Sequence, residues 1–272
     1  MNQSPSSEND LAPELVLPLL GTQRLGRAYE FLAACASTND VVRSRAAAGA
    51  SEGLLVVADS QSAGRGRLGR SWHSPPGQNL YLSLLLRPAL PARHATPLTL
   101  LAGASLARTL ANAGVAPRLR WPNDLLLPAA GEFRKAAGIL IEMATNGEGV
   151  RHIVLGVGLN VNGLEFPPEL ARYATSLRMA LGRTFDRVQL LVDFLATFEA
   201  TYDDFLARGP APGLVEWRRY ADLGRVCRID CDGTKVEGIA TDVDDDGALL
   251  VRDNAGQIHR VISGEMSEQA GG

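Results

Sequence analysis

The most concentrated chemistry in the chain lies in Gln61-Ser-Ala-Gly64-Arg65-Gly66-Arg67-Leu68-Gly69-Arg70, where glycines alternate with arginines. Glycine lets the backbone take unusual dihedrals and approach a ligand, and each arginine adds a planar fork of donors suited to carboxylate or phosphate. The stretch contains a literal G-x-G-x-x-G. A dinucleotide fingerprint also requires a helix directly after it and an acid about 20 residues further on for the ribose. Here Ser-Trp72-His73-Ser-Pro-Pro-Gly follows and then another apolar run, and no Asp or Glu occurs from Ser60 through Asn123 while eight Arg do. The dinucleotide reading fails on both counts. The G-x-x-x-x-G-K-[ST] of a P-loop is also absent, so an anion bound here is held chiefly by guanidiniums. For the loop alone, a solvated turn with incidental arginines is the plainer alternative.

Other segments add polar groups. Arg120-Trp121-Pro122-Asn123-Asp124 places an amide and a carboxylate at the end of a strand, after a proline that restricts the preceding backbone. A β-turn with ordinary Asn-Asp chemistry would look the same. Lys135 opens the otherwise apolar run Ala-Ala-Gly138-Ile-Leu-Ile-Glu142 and is one of two lysines, with Lys235, against 25 arginines. A lysine kept in so arginine-rich a chain hints that a compact ammonium is wanted, although a solvated strand-end lysine is the ordinary reading. Gly156-Val-Gly158-Leu-Asn160-Val-Asn162 combines close backbone approach with amides, where two glycines can also mark a bulge.

These residues need elements to position them. Residues 36–50 read as a helix capped by Ser37, Thr38 and Asn39, with Asp40 in its first turn and Gly49 at its end. Strands are expected at 53–59 and 79–87, on either side of the Gly/Arg loop, and a helix from Pro97 through Asn112 with Gly114 beyond it. Residues 118–127 form a strand interrupted by the Trp-Pro-Asn-Asp turn. Residues 133–143 and 151–161 form an antiparallel pair joined by a loose loop. Helices are expected at about 168–181, 187–207 and 213–222. After Leu223 four short strands separated by Asp/Gly/Asn turns indicate a small β-barrel-like module, too short for ready independent stability and therefore packed on the main domain.

At 272 residues, and about 150 residues per domain, one large and one small domain are expected. A 46% hydrophobic, 21% charged composition excludes a disordered or coiled-coil chain, and a net charge of −3 excludes nucleic-acid binding through bulk basicity. Apolar stretches such as 80–86 fall far short of the roughly 18 residues of a membrane span. The start carries Glu8 and Asp10 and lacks a basic then apolar leader pattern, so a cytoplasmic protein is expected. Cys35, Cys227 and Cys231 are read as reduced, structural thiols, since their spacing lacks the second pair of a zinc site.

With these segments in order, the chain resembles the biotin protein ligases. The resemblance is carried by STND at 37–40, QSAGRGRLGRSWHSPPGQNLYLSLLLRP at 61–88, RWPNDLLL at 120–127, KAAGILIEM at 135–143 and LGVGLNVN at 155–162, with YATSL at 173–177. It spans about 35–265. It implies an α+β fold: a mixed-sheet catalytic domain related to class II synthetases at 35–222 and an SH3-like β-barrel domain at 223–266. Residues 1–34 are then an N-terminal extension, partly disordered, and 267–272 a tail. Family members that double as repressors carry a longer N-terminal helix-turn-helix domain; the short stretch before Ser37 resembles the forms without one, so no DNA partner is expected.

The activity implied is two-step: biotin and MgATP give biotinyl-5′-AMP and pyrophosphate, and a lysine of a biotin carboxyl carrier protein then takes the biotinyl group. By the same resemblance, Ser37, Thr38, Asn39, Gln61, Gly64, Arg65, Gly66, Arg67 and Lys135 bind biotin or its adenylate, with Arg67 and Lys135 catalytic. Arg65, Arg67, Arg70, Trp72, Asn123, Asp124 and Asn160 are candidates for the nucleotide side. Asp124 either helps hold Mg²⁺ or orients the acceptor lysine, and the metal ligands are unassigned. ATP, Mg²⁺ and biotin are the implied small molecules, none permanently bound; a monomer or homodimer and no membrane partner are expected. Since the adenylate is itself activated, no nucleophilic side chain is needed, and His73 and His152 are read as structural or surface residues. Leu68 departs from the family pattern, standing where a third arginine often sits. The rivals are a lipoyl or octanoyl transferase, a non-catalytic nucleotide- or biotin-binding regulator, and a nicotinamide oxidoreductase.

Overall fold

The computed structural model describes residues 10–129, 131–231 and 234–268. Its main unit is a seven-stranded mixed sheet in the order β1-β2-β3-β7-β6-β5-β4. The strands are β1 (Tyr29–Leu32), β2 (Leu55–Ala58), β3 (Leu80–Leu86), β4 (Arg118–Arg120), β5 (Asp124–Ala129), β6 (Glu132–Asn146) and β7 (Gly149–Leu159). Only β1 and β2 pair in parallel; every other neighbouring pair is antiparallel. The helices are α1 (Pro13–Val16), α2 (Thr38–Ala47), α3 (Leu98–Asn112), α4 (Pro168–Ala171), α5 (Leu177–Leu181), α6 (Arg187–Arg208) and α7 (Ala211–Tyr220).

Successive strand side chains point to opposite faces, so register sorts the sheet into two surfaces. Leu82 lies opposite Val157, which lies opposite Ile139, and this row joins Leu101, Leu106 and Leu110 of α3 and Leu191, Phe194 and Phe198 of α6 in the main core. Each such leucine, fully buried, contributes roughly 1.5–3 kcal/mol relative to exposure. On the opposite surface Ser83 faces Gly156, which faces Leu140, and Tyr81 faces Gly158, which faces Gly138. Part of this surface is covered by α2, whose Val42 and Ala46 pack on Val56, Leu85 and Val154. The rest is left open by the absence of side chains on its glycines.

Residues 10–34, read from sequence as an extension, are instead built into the main unit. Leu11, Val16 and Leu25 are fully buried and Tyr29–Leu32 forms an edge strand. Arg187, almost fully buried, joins Asp10 to Asp59 (3.0 Å) and the carbonyl of Asn79 (3.0 Å). Glu199 accepts from the backbone N–H groups of Gln23, Arg24 and Leu25 at 2.7, 2.8 and 2.8 Å. The part of that extension before Asp10, and the tail after Glu268, lie outside the described residues.

The C-terminal module is a five-stranded antiparallel sheet, order β11-β10-β9-β8-β12. Its strands are β8 (Val226–Cys231), β9 (Thr234–Val243), β10 (Leu249–Arg252), β11 (Ile258–Val261) and β12 (Glu265–Glu268). The fourth expected strand splits in two because the chain turns at Gly264, φ 141°, where a side chain would collide with Ile229 and the carbonyl of Asp230. Trp121 Nε1 donates to the carbonyl of Gly247 (3.0 Å) and Arg218 pairs with Asp242 (2.6 Å), fastening this module to the main unit.

Three other expectations change. The helix at 168–181 is two short helices, because the chain turns out of α4 at Arg172–Tyr173, Ala174 bridges Lys135 of β6, and Ser176 Oγ then caps α5 at Met179 N (3.1 Å). The loose 143–151 connection is a tight hairpin, with Asn146 paired to Gly149 around Gly147 (φ 63°). Ser37 occupies the N-cap of α2 without a side-chain capping bond, while Thr38 and Asn39, also expected to cap, bond instead to Gln61, Ser83 and Glu142.

Candidate functional site

The open part of the sheet surface is the floor of a cleft of about 440 Å³, mouth included. Its walls combine the start of α2 (Ser37, Thr38, Asn39), the loop after β2 (Gln61, Arg65, Gly66, Trp72), the turn before β5 (Asn123) and Lys135 at the start of β6. Segments up to 121 residues apart in sequence, from Ser37 to Gly158, thus converge on one site.

The inner wall is a chain of hydrogen bonds. Gln61 Oε1 accepts from Thr38 N (2.9 Å) and Thr38 Oγ1 (3.2 Å), while Gln61 Nε2 donates to Ser74 Oγ (3.0 Å). Ser83 Oγ lies 2.7 Å from Thr38 Oγ1 and 2.6 Å from Asn39 Oδ1, and Asn39 Nδ2 donates to Glu142 Oε2 (2.6 Å). Thr38, Asn39 and Ser83 are buried, so these mutual bonds satisfy groups that would be costly to leave unpaired. They also fix which side chain presents a donor and which an acceptor along the wall.

The floor glycines exist for close approach. A Cβ on Gly156 would stand 2.3 Å from Asn39 Oδ1, and one on Gly158 would stand 2.5 Å from the indole of Trp72. The indole therefore lies close against the sheet at Gly158 and Gly138, with Lys135 Nζ 5.4 Å from its ring centroid. Lys135 also forms an ion pair with Asp124 on the adjacent strand (Nζ to Oδ1 2.6 Å).

At the mouth, Arg65 grips Asp40 with both NH1 (3.0 Å) and NH2 (2.7 Å) and reaches Glu142 at 3.3 Å. Burial works against the Arg65 charge, but the contacts with Asp40 and Glu142 outweigh it and hold the guanidinium above its ordinary pKa. Cys35, in the β1–α2 connection and bridged to Gln61, is pushed up by burial and by Asp40, which keeps it a neutral thiol.

Ser37, Thr38, Asn39, Gln61, Arg65, Gly66, Trp72, Asn123 and Lys135 therefore line the cleft as a group. The remaining sequence candidates sit around it. Gly64 is buried behind the wall, where a Cβ would meet the carbonyl of Trp72 at 2.6 Å. Asp124 is the ion-pair partner just described. Asn160 is buried and donates to the carbonyl of Thr175 (3.1 Å), tying the end of β7 to the 173–175 segment. Arg67 donates to the carbonyl of Gly264 in the C-terminal module (3.2 Å), and Arg70 is exposed. The cause is the backbone: Leu68 (φ 54°) and Gly69 (φ 74°) both adopt left-handed dihedrals and turn the loop outward. His73 is exposed, and buried His152 is held below its ordinary pKa by burial, with Arg87 and Arg151 adding to it.

Sequence reasoning missed Ser83, Ser74, Asp40 and Glu142 as site-forming residues. A signal was present for two of them: Ser83 is the one hydroxyl in an aliphatic run, and Glu142 closes the apolar stretch Gly-Ile-Leu-Ile. No group of three or more His, Cys, Asp or Glu among the described residues is arranged to hold a metal, and the carboxylates nearest the cleft are paired with Arg or Lys.

Comparison with known proteins follows the same residues. The model of the Biotin/lipoate A/B protein ligase family matches residues 32–160, and that of the Biotin protein ligase C terminal domain matches 222–267. The Bifunctional ligase/repressor BirA of Bacillus subtilis (strain 168) is 36% identical over 251 residues, 91% of this chain and 76% of that protein. The Biotin--[acetyl-CoA-carboxylase] ligase of Mycobacterium tuberculosis is 32% identical over 255 residues, 91% of each chain. Among solved structures, the biotin protein ligase from Aquifex aeolicus in complex with biotin and ATP superposes with a TM-score of 0.76 at 28% identity, covering 89% of this chain and 98% of that one.

Proposed function

The chain belongs to the biotin protein ligases, within the Biotin/lipoate A/B protein ligase family, and from that premise we propose that its cleft activates biotin as biotinyl-5′-AMP and passes the biotinyl group to a carrier-protein lysine. The observation that carries this is the polarity of the cleft. Its inner wall offers neutral amides and hydroxyls from Thr38, Asn39 and Gln61, and its outer rim offers cations at Arg65 and Lys135. A ureido head group needs neutral donors and acceptors, whereas a carboxylate tail meeting a triphosphate needs positive charge.

In the first step a biotin carboxylate oxygen attacks the α-phosphorus, a P–O bond forms, and the bond to the β-phosphate breaks to release pyrophosphate. Two anions must be brought together, and fixed cations offset their repulsion. Lys135, oriented by Asp124 and the face of Trp72, is placed to follow charge as it moves from carboxylate to mixed anhydride. Arg65 provides its Nε–H at the mouth, its two terminal nitrogens being held by Asp40 and Glu142. In the second step the acceptor amine attacks the acyl carbon, AMP departs, and the amine loses a proton. The described residues offer no bare carboxylate cluster for Mg²⁺, so we assign it no protein ligand and no step; it would enter with the nucleotide phosphates.

Arg67 and the Gly/Arg loop are assigned to enclosing the adenylate, with the C-terminal module as the surface on which the loop rests. The carrier protein of a biotin-dependent carboxylase is the proposed partner, consistent with the acetyl-CoA-carboxylase ligase named among the relatives. ATP–pyrophosphate exchange tests the first step, with lipoate and octanoate as controls. Exchange that requires biotin supports the proposal; exchange with lipoate or octanoate in its place would move the chain to the lipoyl side of the family.

A further inference from the structure

We propose that Asp40 is a positioning residue that acts through Arg65, setting the plane of its guanidinium at the mouth of the cleft before ligand arrives. The inference rests on the biotin ligase reading and adds a residue to it. Arg65 sits between two glycines, Gly64 and Gly66, in a loop whose own backbone does little to restrict it. Its side chain is fixed from outside the loop. Asp40, in the first turn of α2, takes it with two parallel N–H···O bonds of 2.7 and 3.0 Å, the geometry that defines a guanidinium plane and not merely a position. Glu142, from β6 of the sheet, adds longer contacts of 3.3 and 3.4 Å.

The carboxylates are balanced separately. Arg43, three residues along α2, pairs with Asp40 and reaches Glu142 at 3.3 Å, so two arginines and two acids form a closed group with no net charge. Asp40 also lies at the helix N-terminus, where the aligned backbone dipoles favour a negative charge. The anchor is therefore held in place independently of Arg65. Among the described residues the Arg65 contacts involve NH1 and NH2, which leaves Nε–H for an incoming anion while the fork stays gripped. Asp40 thus supplies orientation and touches no reacting atom.

The test titrates the chain with biotin alone by calorimetry, for the wild type, Asp40→Asn, Arg65→Gln, the double variant and Arg45→Gln. ATP–pyrophosphate exchange and melting temperature are measured in parallel. Asp40→Asn is expected to weaken biotin binding and raise its KM roughly five- to tenfold, with kcat within about twofold and the melting temperature unchanged. It should cost nothing further once Arg65 is Gln, because both changes remove one interaction. Arg45→Gln, on the same helix but paired with Glu30 and with neither Asp40 nor Glu142, should change affinity by less than about twofold. Unchanged biotin affinity in Asp40→Asn, full additivity with Arg65→Gln, or a loss that merely tracks a lower melting temperature would overturn the inference alone. A wild-type chain that does not bind biotin would overturn the functional reading and the inference with it.

Discussion

Lys135 Nζ stands 2.6 Å from Asp124 Oδ1, so the cation assigned to the reacting carboxylate is itself held by a carboxylate from the neighbouring strand. The pair is about one-third exposed on each side, which makes it a weak contributor to stability and a strong determinant of where the ammonium points. Lys135→Gln is expected to lower biotin-dependent pyrophosphate exchange by about a hundredfold or more, the scale of removing one fixed charge from a developing anion. Asp124→Asn keeps the cation but loosens it, and its effect should be smaller. Comparing kcat/KM for the two variants checks the order.

The floor of the cleft has no room for side chains. Gly158→Ala would place a Cβ 2.5 Å from the Trp72 indole, and Gly156→Ala one 2.3 Å from Asn39 Oδ1. Either change must displace a wall residue, at a cost of about 1–3 kcal/mol for overpacking. Biotin titration of both variants should show at least a tenfold loss of affinity, whereas alanine at exposed Gly21, with open space around the Cβ and no left-handed backbone, should leave binding unchanged.

Arg67 and Arg183 give a matched comparison. Both donate to a backbone carbonyl, Arg67 to Gly264 across the two modules and Arg183 to Ala113 on the surface. If the loop and the C-terminal module jointly enclose the adenylate, Arg67→Ala should speed release of preformed biotinyl-AMP, followed by a chase with unlabelled biotin. Arg183→Ala should leave the release rate within about twofold. Equal effects would remove the role assigned to Arg67.

Glu199 fastens the N-terminal segment to α6. Burial raises the pKa of its carboxyl, but three backbone N–H donors and Arg24 outweigh that and hold it below its ordinary value. A carboxylate whose folded pKa is depressed contributes stability above its unfolded pKa of about 4.3, lost as pH falls through the folded value. Glu199→Gln should therefore cost about 1–3 kcal/mol at neutral pH. Denaturation of the two proteins across pH 7 to 3 should show the gap closing towards the acid end.

Much of the site could be read from residue order alone. Residue types mark the Gly/Arg loop and Lys135, and the family resemblance adds the small polar residues at 37–39 and Gln61; the structure gathers Ser37, Thr38, Asn39, Gln61, Arg65, Gly66 and Lys135 round one cleft. The reason is local: glycine and proline set backbone freedom, apolar alternation sets strands, and scarce residue types such as lysine stand out against the background. The C-terminal module was legible in the same way, apart from the turn at Gly264 that divides its last strand.

What only tertiary structure decided is which side chains meet. Asn39 and Glu142 are 103 residues apart, and Arg67 and Gly264 are 197 apart, and nothing in either neighbourhood specifies the other. A strand residue faces cleft or core according to its register with the next strand, and a one-residue slip would reverse every face. The β3, β7 and β6 register is what places Ser83, Gly156 and Leu140 in one row on the cleft side and Leu82, Val157 and Ile139 on the core side. The sequence by itself determined the chemistry on offer, while packing of α2 and the Gly/Arg loop over that row determined which groups are held where a ligand would meet them.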